Sequence, residues 1–159
     1  MSASHDRKNQ QIWEFIDVAS YKQALQQCNR RIKKGEKGDY LMLLKAHILT
    51  LMPPVPSGTN YDEALNICRS IAQRKTPVVN DVAIAVFLQR VWSFLADVGA
   101  GGGREECSRE VSKVWEGVVK TTAKGDDETA AREWVLGCVR MGNWRGMQKV
   151  RISNFCACC

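Results

Sequence analysis

Tyr21-Lys22-Gln23-Ala24-Leu25 returns further along the chain as Tyr61-Asp62-Glu63-Ala64-Leu65, and Cys28 and Cys68 each follow their tyrosine by seven residues. Gly142-Asn143-Trp144-Arg145-Gly146-Met147 reads as a degenerate third copy, with Trp144 in the tyrosine place and Met147 in the alanine place. A recurring block of this kind marks stacked supersecondary units. One unit cannot cover its own apolar face, so neighbours must stack on it. Within each block Ala24 or Ala64 is small where two helices approach closely. The aromatic ring at the start wedges against the first helix of a pair. Tyr21, Ala24, Leu25, Tyr61, Ala64, Leu65, Trp144 and Met147 are thus expected to pack the repeats together. The implied fold is all-α, a solenoid of helical hairpins forming an α-α superhelix.

The periodicity around these blocks is helical throughout. Ile12, Phe15 and Ile16 predict a short helix from Gln11 to Val18. Tyr21, Ala24, Leu25, Cys28 and Ile32 predict one from Tyr21 to Lys34, ended by Gly35 and Gly38. Asp39 is placed to cap a helix running to Met52 through Leu43, Leu44, Ile48 and Leu51. Pro53 to Gly58 is a stiff loop, because proline fixes φ and removes a donor. Thr59 or Asn60 then caps Tyr61 to Arg74, and Thr76-Pro77 breaks the chain. Asp81 caps a helix to Val98, whose Val82, Ile84, Val86, Phe87, Leu88, Val91, Trp92 and Leu95 imply burial on more than one side. Gly99 to Gly103 reads as a flexible linker. Helices over Glu105 to Ala123 and Glu128 to Met141 follow, the first with Val111, Val114, Trp115 and Val118 inward. In this division residues 1–10 form a flexible N-terminus, 11–150 the repeats and 151–159 an irregular tail.

Composition sets the class. With 45% hydrophobic and 25% charged residues, a chain of 159 residues can build a packed body and is not a disordered segment. No apolar run approaches the roughly 20 residues that cross a bilayer. The polar start, Met1 to Lys8, lacks the apolar core of a signal peptide. These features predict a cytoplasmic protein. The net charge is +6, and Lys22, Arg30, Arg31, Lys33, Lys34 and Lys37 fall in one stretch. Cations at a helix C-terminus meet the negative end of the dipole. Arg30, Arg31, Lys33, Lys34 and Lys37 also define a basic contact patch for RNA or an acidic partner.

No catalytic constellation emerges. Gly99 to Gly103 lacks the Gly-Lys-Ser/Thr ending of a phosphate loop and follows a helix. His5 and His47, the two histidines, have no zinc spacing and no catalytic cysteine partner. Glu105-Glu106 and Asp126-Asp127 sit at helix starts, where carboxylates suit the positive dipole end. Of the seven cysteines, Cys28, Cys68, Cys107 and Cys138 lie within helical patterns and read as buried free thiols. Cys156-Ala157-Cys158-Cys159 has a prenylation-like spacing, but its interior positions are not both aliphatic, and an early end of the reading frame is favoured. No cofactor, metal or small-molecule ligand is predicted.

The Tyr-x-x-Ala-Leu blocks resemble tetratricopeptide repeats, whose second helix carries this pattern. The order Tyr21 to Cys28, Leu43-Leu44-Lys45-Ala46, Tyr61 to Leu65 and Val139 to Lys149 resembles the N-terminal region of the non-catalytic subunit of the NatB N-terminal acetyltransferase. The resemblance covers roughly Ile12 to Val150. It implies a cytoplasmic α-solenoid that cradles a catalytic subunit of the GNAT fold near the ribosome. That partner uses acetyl-coenzyme A on chains beginning Met-Asp, Met-Glu, Met-Asn or Met-Gln. The present chain has no acetyl-coenzyme A motif of the Gln/Arg-x-x-Gly-x-Gly/Ala type, which accords with a non-catalytic role. The alternative is a generic tetratricopeptide adaptor that grips a peptide tail.

Overall fold

A computed structural model describes residues 3–55, 59–74, 82–100 and 103–122. These residues fold into six helices and no strand. They are α1 (Ala3–Asp17), α2 (Tyr21–Lys33), α3 (Asp39–Leu51), α4 (Thr59–Ala72), α5 (Val82–Asp97) and α6 (Gly103–Thr122). Short connections force consecutive helices antiparallel, so α1 pairs with α2, α3 with α4 and α5 with α6. The hairpins stack in chain order as an α-α superhelix.

The core sits on both sides of α3. Its sequence is apolar around most of the helix, and it buries Tyr40, Leu41, Leu43, Leu44, Ala46, Ile48 and Leu49. A helix apolar on all sides must be covered on all sides, and α3 accordingly touches α1, α2, α4 and α5. Leu41, Leu44 and Ile48 pack with Ile12, Ala24 and Cys28 of the first hairpin. Leu43, Ala46 and Leu49 pack with Ala64, Cys68, Leu88, Trp92 and Trp115 on the other side. Each fully buried leucine here contributes roughly 1.5–3 kcal/mol.

Three helices end in the same way. After α2, Gly35 takes φ +95°. Its N–H bonds Ile32 O at 3.0 Å, and the N–H of Glu36 bonds Arg31 O at 3.2 Å. This Schellman turn satisfies two carbonyls that the helix leaves open. Gly99 closes α5 identically at φ +76°, with Ala100 N–H on Leu95 O at 2.9 Å. Ala19 closes α1 with φ +56°; its N–H bonds Ile16 O at 2.9 Å, and the N–H of Ser20 bonds Phe15 O at 2.8 Å. A left-handed alanine costs roughly 1–2 kcal/mol, while glycine would add about 0.4–1 kcal/mol of unfolded-chain entropy to lose. Ala19→Gly is therefore expected to stabilise the chain by about 0.5–1 kcal/mol in urea titrations.

Several boundaries differ from the sequence reading. α1 begins at Ala3 rather than Gln11, so helix runs through much of the segment assigned to the N-terminus. No glycine or proline interrupts residues 3–17, and Asn9 is buried where Arg31 Nη1 donates to its Oδ1 at 2.8 Å. Asp39 is not the cap of α3: Gly38 holds that place with no side-chain bond. Asp39 is the first helical residue, and its Oδ1 lies 2.7 Å from Arg74 Nη1, an ion pair outside hydrogen-bond angles. Thr59 and Asn60 both lie inside α4 rather than before it. Asp81, Trp144, Met147, Cys138 and the tail 151–159 lie outside the described residues.

Candidate partner-binding surface

Tyr21, Ala24, Leu25, Tyr61, Ala64 and Leu65, the described members of the expected packing set, lie in α2 and α4. Ala24 and Ala64 are completely buried. Tyr21 is half-buried against the cluster of Ile12, Cys28 and Ile48, and Leu25 borders both clusters. Leu65 is buried in the second cluster. The ring of Tyr61 meets Phe94 edge-on, with centroids 6.2 Å apart. That contact reaches α5, the first helix of the following pair.

The third hairpin was not legible as a repeat. In α6 Cys107, Val111 and Val114 are buried, with the spacing of Ala64, Cys68 and Ile71 in α4. Cys107 thus holds the alanine place and Arg104 the tyrosine place, so no motif announces this helix. The signal that could have found it is the burial period alone.

Polar links fasten one unit to the next. Arg69 of α4 donates from Nε and Nη2 to the two oxygens of Glu106 in α6, each at 2.7 Å. Glu106 therefore ties two second helices together, beyond its place at a helix start. The hydrogen bond from Arg69 outweighs burial and holds the Glu106 carboxyl below its ordinary range. A lowered carboxylate stabilises the fold above the unfolded-state pKa and loses that contribution as pH falls. Glu106→Gln is expected to cost about 1 kcal/mol at neutral pH, because solvent screens an arginine that is about one-third exposed. The difference from the parent chain should shrink as pH is lowered below 4.5, which urea titrations at several pH values would read. A difference that does not change with pH would rule out the carboxylate as its source.

Farther along α6, burial alone would raise the pKa of Glu110. Hydrogen bonds from Lys113 and Arg109 outweigh that burial and leave it lowered. Lys45 reaches Glu63 at 2.6 Å between the helices of the second hairpin.

The first helices of the three hairpins share an aromatic ladder. Trp13 of α1 lies 5.9 Å from the His47 ring of α3 and 6.2 Å from Phe87 of α5, centroid to centroid. Phe87 also meets Tyr40 at 5.4 Å and His47 at 5.6 Å. Burial lowers the His47 pKa, so the imidazole is neutral at neutral pH and serves as packing. Cys28, Cys68 and Cys107 are buried free thiols. Among the described residues no group of His, Cys, Asp and Glu could hold a metal ion.

Antiparallel pairing sorts the turns onto two edges. Turns within hairpins lie on one edge, and turns between hairpins on the other. The second edge receives the basic stretch. Arg30, Lys33, Lys34 and Lys37 are exposed there and form no ion pair among the described residues. Arg31 is engaged within the chain, by Glu36 at 2.7 Å and by Asn9.

The sequence model of one family, described as Psidin, N-terminal TPR repeats region, matches residues 6–153. The chain belongs to this Psidin N-terminal TPR repeat family. TPR is the tetratricopeptide repeat, the unit that the Tyr-x-x-Ala-Leu blocks resemble. No curated protein and no solved structure matches the chain. Tetratricopeptide repeats act by holding protein partners, and the Psidin-type hairpins accord with that in form: a rigid apolar stack with a ladder of partly exposed rings on its first helices. Among the described residues no helix is long and apolar enough to cross a membrane.

Proposed function

We propose that the chain is the N-terminal repeat region of a non-catalytic scaffold subunit in a NatB-like N-terminal acetyltransferase complex. Its work is to hold a catalytic subunit of the GNAT fold beside nascent chains in the cytoplasm. The observation that carries this reading is the order of the repeat segments. Tyr21 to Cys28, Leu43 to Ala46, Tyr61 to Leu65 and Val139 to Lys149 resemble that subunit's N-terminal region, and residues 6–153 match an N-terminal repeat region. The reading assigns residues 11–150 to the repeat body. A solenoid offers a long continuous surface on which a smaller protein can lie.

The basic edge supports a second contact in the same assembly. Arg30, Lys33, Lys34 and Lys37 present four exposed cations at the end of one hairpin, none of them in an ion pair among the described residues. Ribosomal RNA is the polyanion such an edge suits, with affinity that falls steeply as salt rises.

Tagged co-purification from cytosol tests both parts. Recovery of a GNAT-fold acetyltransferase together with Met-Asp peptide acetylation is the expected result. Ribosomes should co-sediment at low salt and be lost in the charge-reversed R30E/K33E/K34E/K37E chain. Recovery of protein partners without acetyltransferase would favour the generic adaptor. Sedimentation insensitive to both salt and charge reversal would overturn the ribosomal contact.

A further inference from the structure

The chain leaves α3 in a defined shape. Met52 donates its N–H to Ile48 O at 3.1 Å and itself takes φ −74° and ψ +146°. These are the angles of a polyproline II helix, about −75° and +145°. The cause is local. The ring of a proline drives the residue before it out of the helical region, and Met52 precedes Pro53. Pro53 in turn precedes Pro54, and Val55 precedes Pro56, so the same clash acts at both. Each proline also fixes its own φ near about −65°. From Met52 to Val55 only the ψ of Pro54 is left open by these local restrictions. The stretch is longer than the roughly three residues of one polyproline II turn.

This segment is presented rather than packed. Pro53, Pro54 and Val55 are all exposed. Met52 is half-buried against the cluster of Ile12, Cys28 and Ile48 and anchors the start of the segment to the stack. Among the described residues no backbone hydrogen bond uses a carbonyl from Met52 to Val55. A polyproline II strand makes no internal hydrogen bonds, so these carbonyls are available as acceptors. Ending α3 does not account for the arrangement. A single proline stops a helix, and a second exposed one directly after it adds nothing to that.

We infer that Met52 to Val55 is a docking strand for a small partner domain of the WW type, which reads polyproline II helices in an uncharged groove of aromatic rings. Exposed proline rings stack on such a groove, and the backbone carbonyls accept from its N–H and O–H groups. The strand is held in its bound form beforehand, so little ordering entropy opposes docking. Charge selects among readers of this form. SH3-type grooves add an acidic pocket that takes a flanking cation. No Lys or Arg occurs between Lys45 and Arg69, and Lys45 is engaged by Glu63 at 2.6 Å. Asp62, exposed in the first turn of α4, adds charge of the wrong sign for such a pocket. The contact lies away from the basic stretch, and it does not depend on which enzyme, if any, the repeats hold.

The test titrates the full 159-residue chain into an isotope-labelled WW domain of the class that takes Pro-Pro-aliphatic ligands, followed by NMR. Saturable shifts confined to the aromatic groove are expected, and a synthetic polyproline peptide should reverse them. The P53A/P54A chain, checked for unchanged circular dichroism, should bind at least about tenfold more weakly, having lost both rings and the fixed backbone. K33E/K37E should bind like the parent. An SH3 domain titrated in parallel should bind at least about tenfold more weakly than the WW domain. No shifts, shifts outside the groove, no displacement by the polyproline peptide, unchanged binding by a folded P53A/P54A chain, or equal binding by the SH3 domain would overturn the proposal. Should P53A/P54A fail to fold, the displacement experiment on the parent chain decides alone. Because no acetyltransferase enters this assay, its failure leaves the scaffold reading to be judged by its own co-purification.

Discussion

Trp115→Ala is expected to destabilise the chain by about 3–5 kcal/mol and to melt the third hairpin ahead of the others. Trp115 is fully buried in α6 among Val91, Leu95, Val111 and Val118. Its Nε1 also donates to Gln89 Oε1 of α5 at 2.8 Å, both groups being buried. Truncation removes the largest side chain of α6 and leaves the Gln89 carbonyl facing an apolar wall. Trp115→Phe separates the two effects, since it keeps most of the apolar body and removes only the donor. It should cost about 1–3 kcal/mol, the price of one orphaned buried acceptor. Trp92 provides the control. Its Nε1 has no hydrogen-bond partner among the described residues, so Trp92→Phe loses ring volume without a bond. Repeat stability is close to a sum over neighbours, so the Trp115→Ala damage should stay local. Amide hydrogen exchange by peptide would show α5 and α6 losing protection while α1 and α2 keep theirs. Uniform loss across all helices would contradict this account.

The second large effect is chemical. Native Cys68 and Cys107 are expected to react with iodoacetamide about a thousandfold more slowly than in the unfolded chain. Burial pushes both thiols up from 9.0 to about 12, and the thiolate is the reacting form. Cys28, raised to about 11, should be slowed about a hundredfold. Peptide mapping after timed alkylation reads each site apart from the remaining cysteines. The same shifts fix the alkaline behaviour. A thiol whose folded pKa is raised stabilises the fold fully below the unfolded value, and that contribution is lost as pH rises toward the folded value. Stability should therefore decline between pH 9 and about 12 and do so less in Cys68→Ala. Rapid alkylation of Cys68 under native conditions would show that the helices α4 and α6 part far more readily than their packing implies.

The sequence carried the hairpins that announce themselves and was silent on what joins them. Tyr21 and Tyr61 with their alanines mark α2 and α4 because close helix approach needs a small residue at a fixed place. The apolar run of α3 marks it as central for a similarly local reason. α6 escaped as a repeat because Cys107 does the work of an alanine while Arg104, exposed, replaces the wedge ring. Ala19 gave no warning of a left-handed turn, since alanine is not the residue that such a position favours. Arg69–Glu106, Gln89–Trp115 and Asn9–Arg31 join residues on different helices. Their pairing depends on stacking register, which no local pattern encodes. Of the candidate surfaces, the basic run was readable as composition.

The way α3 serves both halves of the core has a kinetic side. The main helix contacts join elements no more than two places apart in the chain. Low sequence separation means little loop-closure entropy before contacts form, which makes for fast assembly. A chain emerging from synthesis presents α1 and α2 first, and their apolar faces stay wet until α3 arrives. Once Leu44 and Ile48 have docked, Leu43 and Leu49 on the far side are the exposed ones, waiting in turn for α4 and α5. The folding front thus advances one hairpin at a time, always with an apolar leading face. That face is where a nascent-chain chaperone would take hold of this protein.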